Sequence, residues 1–200
     1  MPANTTTAEQ DTLQCLVGML AKADIRHAVI GSMATELYGA HPRSNNVEVL
    51  LSPEGFGQFD RGIARAYFER VPGRPRRFSD RRNGVKIEFF LTGHHPGRCG
   101  PGPIAFPDPA MLATQQGVFW LLPLPRLIEL QLAAKTHRDF AEVVSLIQTH
   151  RLDESFLNQI HPSVHRDFIE CLEEKRRDDV YEARQDRMLE RKLKELDQDS

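Results

Sequence analysis

The chain has 200 residues, 40% of them hydrophobic, enough to build a real core in one medium domain with an appendage or in two small domains. Its 26 basic and 28 acidic side chains leave a formal charge of −2, which excludes a global basic field for nucleic acid. No window approaches the ~18 consecutive apolar residues that would span a bilayer, the opening residues carry no basic segment followed by an apolar run, and Cys15, Cys99 and Cys171 are too few and too scattered for a disulfide framework; the expectation is a cytoplasmic chain with no membrane partner.

Residues 1–8 are small and polar and read as a disordered tail. From Glu9 to Ala23, Leu13, Leu16, Val17 and Leu20 recur at helical spacing, so an amphipathic helix is expected. Arg26 to Ile30 reads as a short buried strand ending at Gly31-Ser32, and Met33 to Tyr38 as one or two helical turns. Gly39 to Asn45 is a loop by composition, and Val47 to Leu51 a second strand. Ser52 is placed to cap a helix with Pro53 at its first position, running to about Arg70. Arg74 to Arg82 is basic and broken by Pro75; Val85 to Leu91 alternates as a third strand. Gly93 to Pro109 is a long Gly/Pro-rich loop, and Val118 to Leu122 a fourth strand.

The last third is helical. Pro125 to Lys135 and His137 to Thr149 carry apolar residues at helical spacing, and Asp153 and Ser163 are placed to begin two more helices. Glu170 to Asp199 is dominated by charge, with Leu189, Leu193 and Leu196 as a thin apolar stripe, a solvated helix with a seam for a protein partner. The fold class expected is α/β of the α+β type. Residues 9–122 form a core, 123–169 a helical subdomain packed on it, and 170–200 a charged C-terminal helix.

One constellation carries chemistry. A strand runs into Gly31-Ser32 and a helix; a loop follows, then a strand holding Asn46-Val47-Glu48, and a later strand holds Glu88. Residues 46 and 48 point to one face of their strand. Glu88 reaches the same spot if it lies on the neighbouring strand in matching register. Carboxylates gathered so closely repel unless a cation sits between them, and Mg²⁺ held by carboxylates and substrate phosphates is the usual answer. The Gly-Ser turn suits a phosphate, because Gly permits close backbone approach, Ser adds a hydroxyl and a helix start presents free N–H groups.

With Ile30-Gly31-Ser32, thirteen intervening residues and then Asn46-Val47-Glu48-Val49, the chain resembles the bacterial nucleotidyltransferase superfamily of the small antitoxin and abortive-infection type. Pro42-Arg43-Ser44, Glu88 within Val85 to Phe90, the run Leu121 to Leu130, and Lys135 followed by His137 to Val143 extend the resemblance over roughly residues 10–170. The resemblance implies a mixed β-sheet flanked by helices, and two Mg²⁺ ions that align an NTP while a hydroxyl attacks its α-phosphate. By position it implies Gly31, Ser32, Arg43, Ser44 and Lys135 at the nucleotide phosphates, Asn46, Glu48 and Glu88 as metal ligands, and Glu48 and Glu88 as the catalytic carboxylates.

The departures from that pattern count as much. Asn46 stands where the family places an Asp, so the ligand set falls from three negative charges to two, and Glu88 is one methylene longer than the usual Asp. The expectation is a nucleotidyltransferase fold with weakened or lost transfer. The alternative is a non-catalytic nucleotide- or partner-binding module, antitoxin-like or regulatory.

Plainer readings stand beside these. Gly31-Ser32 also fits an ordinary strand-to-helix turn, and Asn46, Glu48 and Glu88 fit the solvent face of a strand. Lys135, Arg138 and Asp139 fit helix-surface ion pairs. Arg70, Arg74, Arg76, Arg77, Arg81 and Arg82, with Phe78 among them, read as a solvated basic loop, with RNA or a nucleotide's triphosphate tail as the functional alternative. His94, His95 and Cys99 lack the spaced partner set of a zinc site and read as a surface loop.

Overall fold

The computed structural model describes residues 7–41, 46–97 and 102–198. Helix α1 (Ala8–Lys22) opens with Thr7 as its N-cap in a reciprocal capping box with Gln10, and buries Leu13, Leu16, Val17 and Leu20 as its periodicity requires. Strand β1 (His27–Ile30) is buried along its whole length and passes directly into α2 (Gly31–Leu37). Strand β2 (Val47–Leu51) is also buried throughout, the pattern of a strand covered on both faces. Ser52 accepts from the Gly55 N–H with Pro53 at the first helical position, so α3 (Pro53–Phe59) starts where its cap signals place it.

The single helix expected as far as Arg70 is not formed. After α3 the backbone widens into a π turn (Asp60–Ala64), tightens through α4 (Arg65–Tyr67) and straightens into β3 (Phe68–Arg70). The cause is tertiary. β3 pairs antiparallel with β4 (Arg77–Asp80), which buries Phe68 beside Phe59 with ring centroids 5.8 Å apart. That pairing overrides a local pattern already weakened by glycine. β5 (Lys86–Leu91) follows, then α5 (Pro109–Leu112), β6 (Thr114–Gln116) and β7 (Phe119–Leu121). β6 was not anticipated; it borders β7 at one end of the sheet.

The strands form one mixed seven-stranded open sheet among the described residues, in the order β3-β4-β5-β2-β1-β7-β6. β2 runs antiparallel to β1 and parallel to β5. Helices α6 (Leu124–Ala134) and α7 (His137–His150) follow, each closed by a residue in the left-handed conformation, Lys135 and Arg151. Asp153 and His161 cap two 3-10 turns, Glu154–Gln159 and Pro162–Val164. The chain ends in α8 (His165–Gln198), whose first turns bury Phe168, Cys171 and Leu172. This is the α+β arrangement expected, a sheet followed by a helical part, and no helix among the described residues is long and apolar enough to cross a membrane.

The β2–β5 pair organises the centre. On one face Ile87 and Phe89 meet Phe56, Phe59 and Phe78; Phe59 and Phe89 have centroids 4.5 Å apart. Each fully buried aromatic there contributes ~1.5–3 kcal/mol by area removed from water. Successive residues alternate faces, so Glu48 and Glu88 turn to the other side.

Candidate functional site

The register of the central strands builds the site. Glu48 lies directly opposite Glu88 across the parallel β2–β5 pair, opposite Ile30 across β1–β2, and Arg77 lies opposite Glu88 across β4–β5. A single row therefore reads Arg77, Glu88, Glu48, Ile30 across four strands. It forms one wall of a cleft of about 590 Å³. The loop through Pro96 and Gly97 and the junction between α6 and α7 complete the walls.

Gly31 is fixed by this row. Its φ is +61°, and a Cβ at that position would stand 1.8 Å from Glu48 Oε2. Both the conformation and the space demand glycine. At the far wall Gly97, with φ +78°, approaches α6 so closely that a Cβ would meet the Ala134 carbonyl at 2.7 Å.

The two carboxylates are held by guanidinium groups. Arg77 Nη2 donates to Glu88 Oε2 at 2.6 Å, and Arg138 Nη2 donates to Glu48 Oε1 at 3.4 Å and to Asp139 Oδ1 at 3.5 Å. Glu48 is 6% exposed, and its carboxyl is raised to about 7. Burial is the main cause; Arg138 opposes it, while Asp139, Glu88 and Glu142 add to it. Thr136 caps α7 by accepting from the Asp139 N–H, and Lys135, Thr136, Arg138 and Asp139 at this helix start line the cleft.

Gly31, Asn46, Glu48, Glu88 and Lys135, expected to share a site, all line this one cleft. Ser32 does not. Its side chain is buried and donates to Glu142, which also accepts from Thr35 at 3.2 Å and from Gln131 at 2.8 Å. The hydroxyl thus ties α2 to α7, and Gln131 brings α6 into the same network. Arg43 and Ser44 lie outside the described residues, as does Cys99. His94 and His95 line the cleft, but their Nδ1 atoms lie 3.2 Å from Arg76 Nη1 and 2.9 Å from the Ile104 carbonyl.

The basic segment is no solvated loop. It sorts into two sets. Arg70 bonds Asp60 and the Pro75 carbonyl and lies over the Phe78 ring at 4.7 Å; Arg81 donates to the Phe68 carbonyl at 3.3 Å. Arg82 reaches Asp80 at 2.7 Å and Asp11 at 3.0 Å. Arg74, Arg76 and Arg77 instead line the cleft. Arg138, partly exposed, likewise faces the carboxylates. The alternation Arg77-Phe78-Ser79 was the available signal: it places Phe78 in the core and Arg77 on the face of Glu88.

Mg²⁺ takes near-octahedral oxygen ligands, several of them charged or water. Of the three positions the family resemblance assigns to metal, Asn46 brings an uncharged amide, and Glu48 and Glu88 are each paired with an arginine. Among the described residues no group of three or more His, Cys, Asp or Glu side chains converges to hold a metal ion. This donor set does not fit a two-ion centre.

Two solved structures resemble the chain in overall course. A candidate nucleotidyltransferase from H. pylori aligns with a TM-score of 0.47 at 13% identity, covering 90% of this chain and 83% of its own. The protein JHP933 from Helicobacter pylori aligns with a TM-score of 0.37 at 12% identity, over 89% of this chain and 95% of its own. No protein-family model matches the sequence. No curated protein matches it.

Proposed function

We propose that this is a nucleotidyltransferase-fold protein that binds a nucleoside triphosphate in the cleft beside Glu48 and Glu88, and that its nucleotidyl transfer is weakened or lost. The observation that carries the reading is the register: Glu48 facing Glu88 on adjacent parallel strands, with Gly31 pressed against Glu48 at the start of α2. The resemblance implies that carboxylates so placed would face a nucleotide's phosphates across Mg²⁺. Arg74, Arg76 and Lys135 line the same cleft and supply positive charge for those phosphates. Against full transfer stand the amide at Asn46 and the arginine pairing of both carboxylates, since two-ion chemistry needs acidic ligands free to bridge the ions.

Isothermal titration with ATP, GTP, CTP and UTP, run beside a pyrophosphate-release assay with Mg²⁺, tests this. The expected outcome is saturable binding of at least one nucleotide with no pyrophosphate above the buffer control. Sustained release by the parent protein would overturn the loss of transfer, and absence of binding by all four would overturn the nucleotide site. An Asn46→Asp variant sharpens the result: metal-dependent release appearing only in the variant would identify position 46 as the lost ligand.

A second reading, partner binding in the manner of an antitoxin or regulatory subunit, is favoured by α8. Its outer part carries the exposed side chains of Val180, Tyr181 and Met188. Co-purification with the product of an adjacent gene, lost on Val180→Glu and Tyr181→Glu, would support it. Co-purification that survives both changes would remove α8 from the account.

A further inference from the structure

We infer that the cleft binds a polyphosphate chain without a divalent cation, with Arg74, Arg76 and Lys135, beside the carboxylate-paired Arg77 and Arg138, neutralising the phosphates in place of metal. The inference rests on the phosphate-binding reading of the cleft given above, and goes beyond it by assigning the counter-charge to this chain's own side chains.

Three observations carry it. The first is charge. Among the described residues five cationic side chains, Arg74, Arg76, Arg77, Lys135 and Arg138, line the cleft against three carboxylates, Glu48, Glu88 and Asp139. The cleft is therefore net positive in a chain whose total is −2. The second is how those charges are spent. The carboxylates are all taken up by Arg77 and Arg138, at 2.6 to 3.5 Å. Arg74 and Lys135 make no side-chain ion pair among the described residues, and Arg76's side chain lies 3.2 Å from the His94 ring nitrogen without a carboxylate partner among them. Three cations are thus left to face an anion. The third is an unmet donor. Arg138 Nε is buried with no hydrogen-bond partner among the described residues, and the same side chain lines the cleft. As the side chains stand, Nε is sealed from the cleft, so a phosphate oxygen would reach it only if the Arg138 guanidinium turned, giving a charge-assisted bond to a donor that is costly to leave unmet.

A divalent ion meets the opposite conditions. To gain Glu48 and Glu88 it would have to break both arginine pairs, and then sit beside two guanidinium groups of its own sign. A polyphosphate keeps the pairs and adds to them, since each guanidinium retains further N–H donors for a phosphate oxygen.

The test is isothermal titration of the full chain with inorganic tripolyphosphate and with ATP, each in excess EDTA and again in millimolar Mg²⁺. The expected result is binding in EDTA at least as tight as in Mg²⁺ for both probes. Lys135→Gln, an exposed change that leaves no carboxylate unpaired, should weaken tripolyphosphate in EDTA by about threefold to tenfold. Arg77→Gln should weaken it by about tenfold or more. Binding of ATP only in Mg²⁺ would overturn this inference and leave the nucleotide reading standing. Tripolyphosphate binding in EDTA with no binding of ATP would uphold the metal-free site and overturn the nucleotide reading. Failure of both probes in both buffers would overturn the two together.

Discussion

The two faces of the β2–β5 pair differ by one residue of register and by everything in chemistry. One face sets Ile87 and Phe89 into a cluster of five phenylalanines with Phe56, Phe59, Phe68 and Phe78. The other sets Glu48 against Glu88 with an arginine on each side. The aromatic face is dry, redundant and tightly packed, so it fixes the strands. The charged face is held by few, partly exposed ion pairs and opens on a cleft. A slip of one residue would exchange the two sets, so the core guarantees the position of the carboxylates. Stability and function are separated by the pleat, and changes on either face should report on one and spare the other.

The largest effect is expected on the aromatic face. Phe89→Ala should cost ~3–5 kcal/mol in denaturant unfolding, because it leaves a cavity among rings that cannot close on it. The ligand affinity of the molecules that remain folded should stay within twofold of the parent's, about the precision of a titration. A cost below ~1 kcal/mol would mean that the cluster does not fix the strands.

Gly31→Ala comes next, where the two faces meet. The left-handed backbone alone costs an alanine ~1–2 kcal/mol, and the overlap with the Glu48 carboxylate adds to it. A double-mutant cycle separates the two parts. In a Glu48→Ala background the same glycine change should cost only the backbone part. Equal costs in both backgrounds would show that Glu48 does not press on Gly31.

On the charged face, Arg77→Gln should change unfolding free energy by no more than ~1 kcal/mol, since the Arg77–Glu88 pair is partly exposed and screened. Its effect belongs to phosphate affinity. A stability loss as large as that of Phe89→Ala would break the separation of faces.

A pH dependence away from the cleft comes last. His27 is buried in β1, with Nδ1 3.0 Å from the Ile25 carbonyl and Nε2 without a hydrogen-bond partner among the described residues. Burial holds its pKa below the ordinary 6.5, with Arg26 helping and the backbone bond opposing. The unfolded chain therefore takes up the proton more readily than the folded one. His27's contribution is complete above about pH 6.5 and is lost as the pH falls toward the lowered folded value, with a slope of at most ~1.4 kcal/mol per pH unit. His27→Phe should remove that slope; unfolding measured from pH 7.5 down to pH 5 checks it.

What the sequence made legible follows the same division. Capped helices and long strands were readable because their signals are local. Ser52-Pro53 starts α3, the alternation over 86–91 marks β5, and Leu13 to Leu20 mark the inner stripe of α1. β3, β4 and β6 were not readable, because strands of three or four residues exist only through their partners. The carboxylates and Gly31 could be found because they form an ordered motif. Arg138 could not, since it is 90 residues from Glu48 in sequence and meets it only through the α6–α7 junction, and Arg77 was marked only by the short alternation Arg77-Phe78-Ser79. Ser32 misled for a related reason: a hydroxyl beside a glycine turn looks placed for phosphate, yet Glu142 on α7 engages it.

The central claim is that the charged face of β2–β5 is the ligand site. Hydrogen–deuterium exchange with and without ATP, in EDTA, measures this most directly. The account predicts slowed exchange confined to residues 46–48, 74–77 and 135–139, with the aromatic face and α8 unchanged. Protection centred on α8 or elsewhere on the surface, or none at saturating ATP, would contradict it.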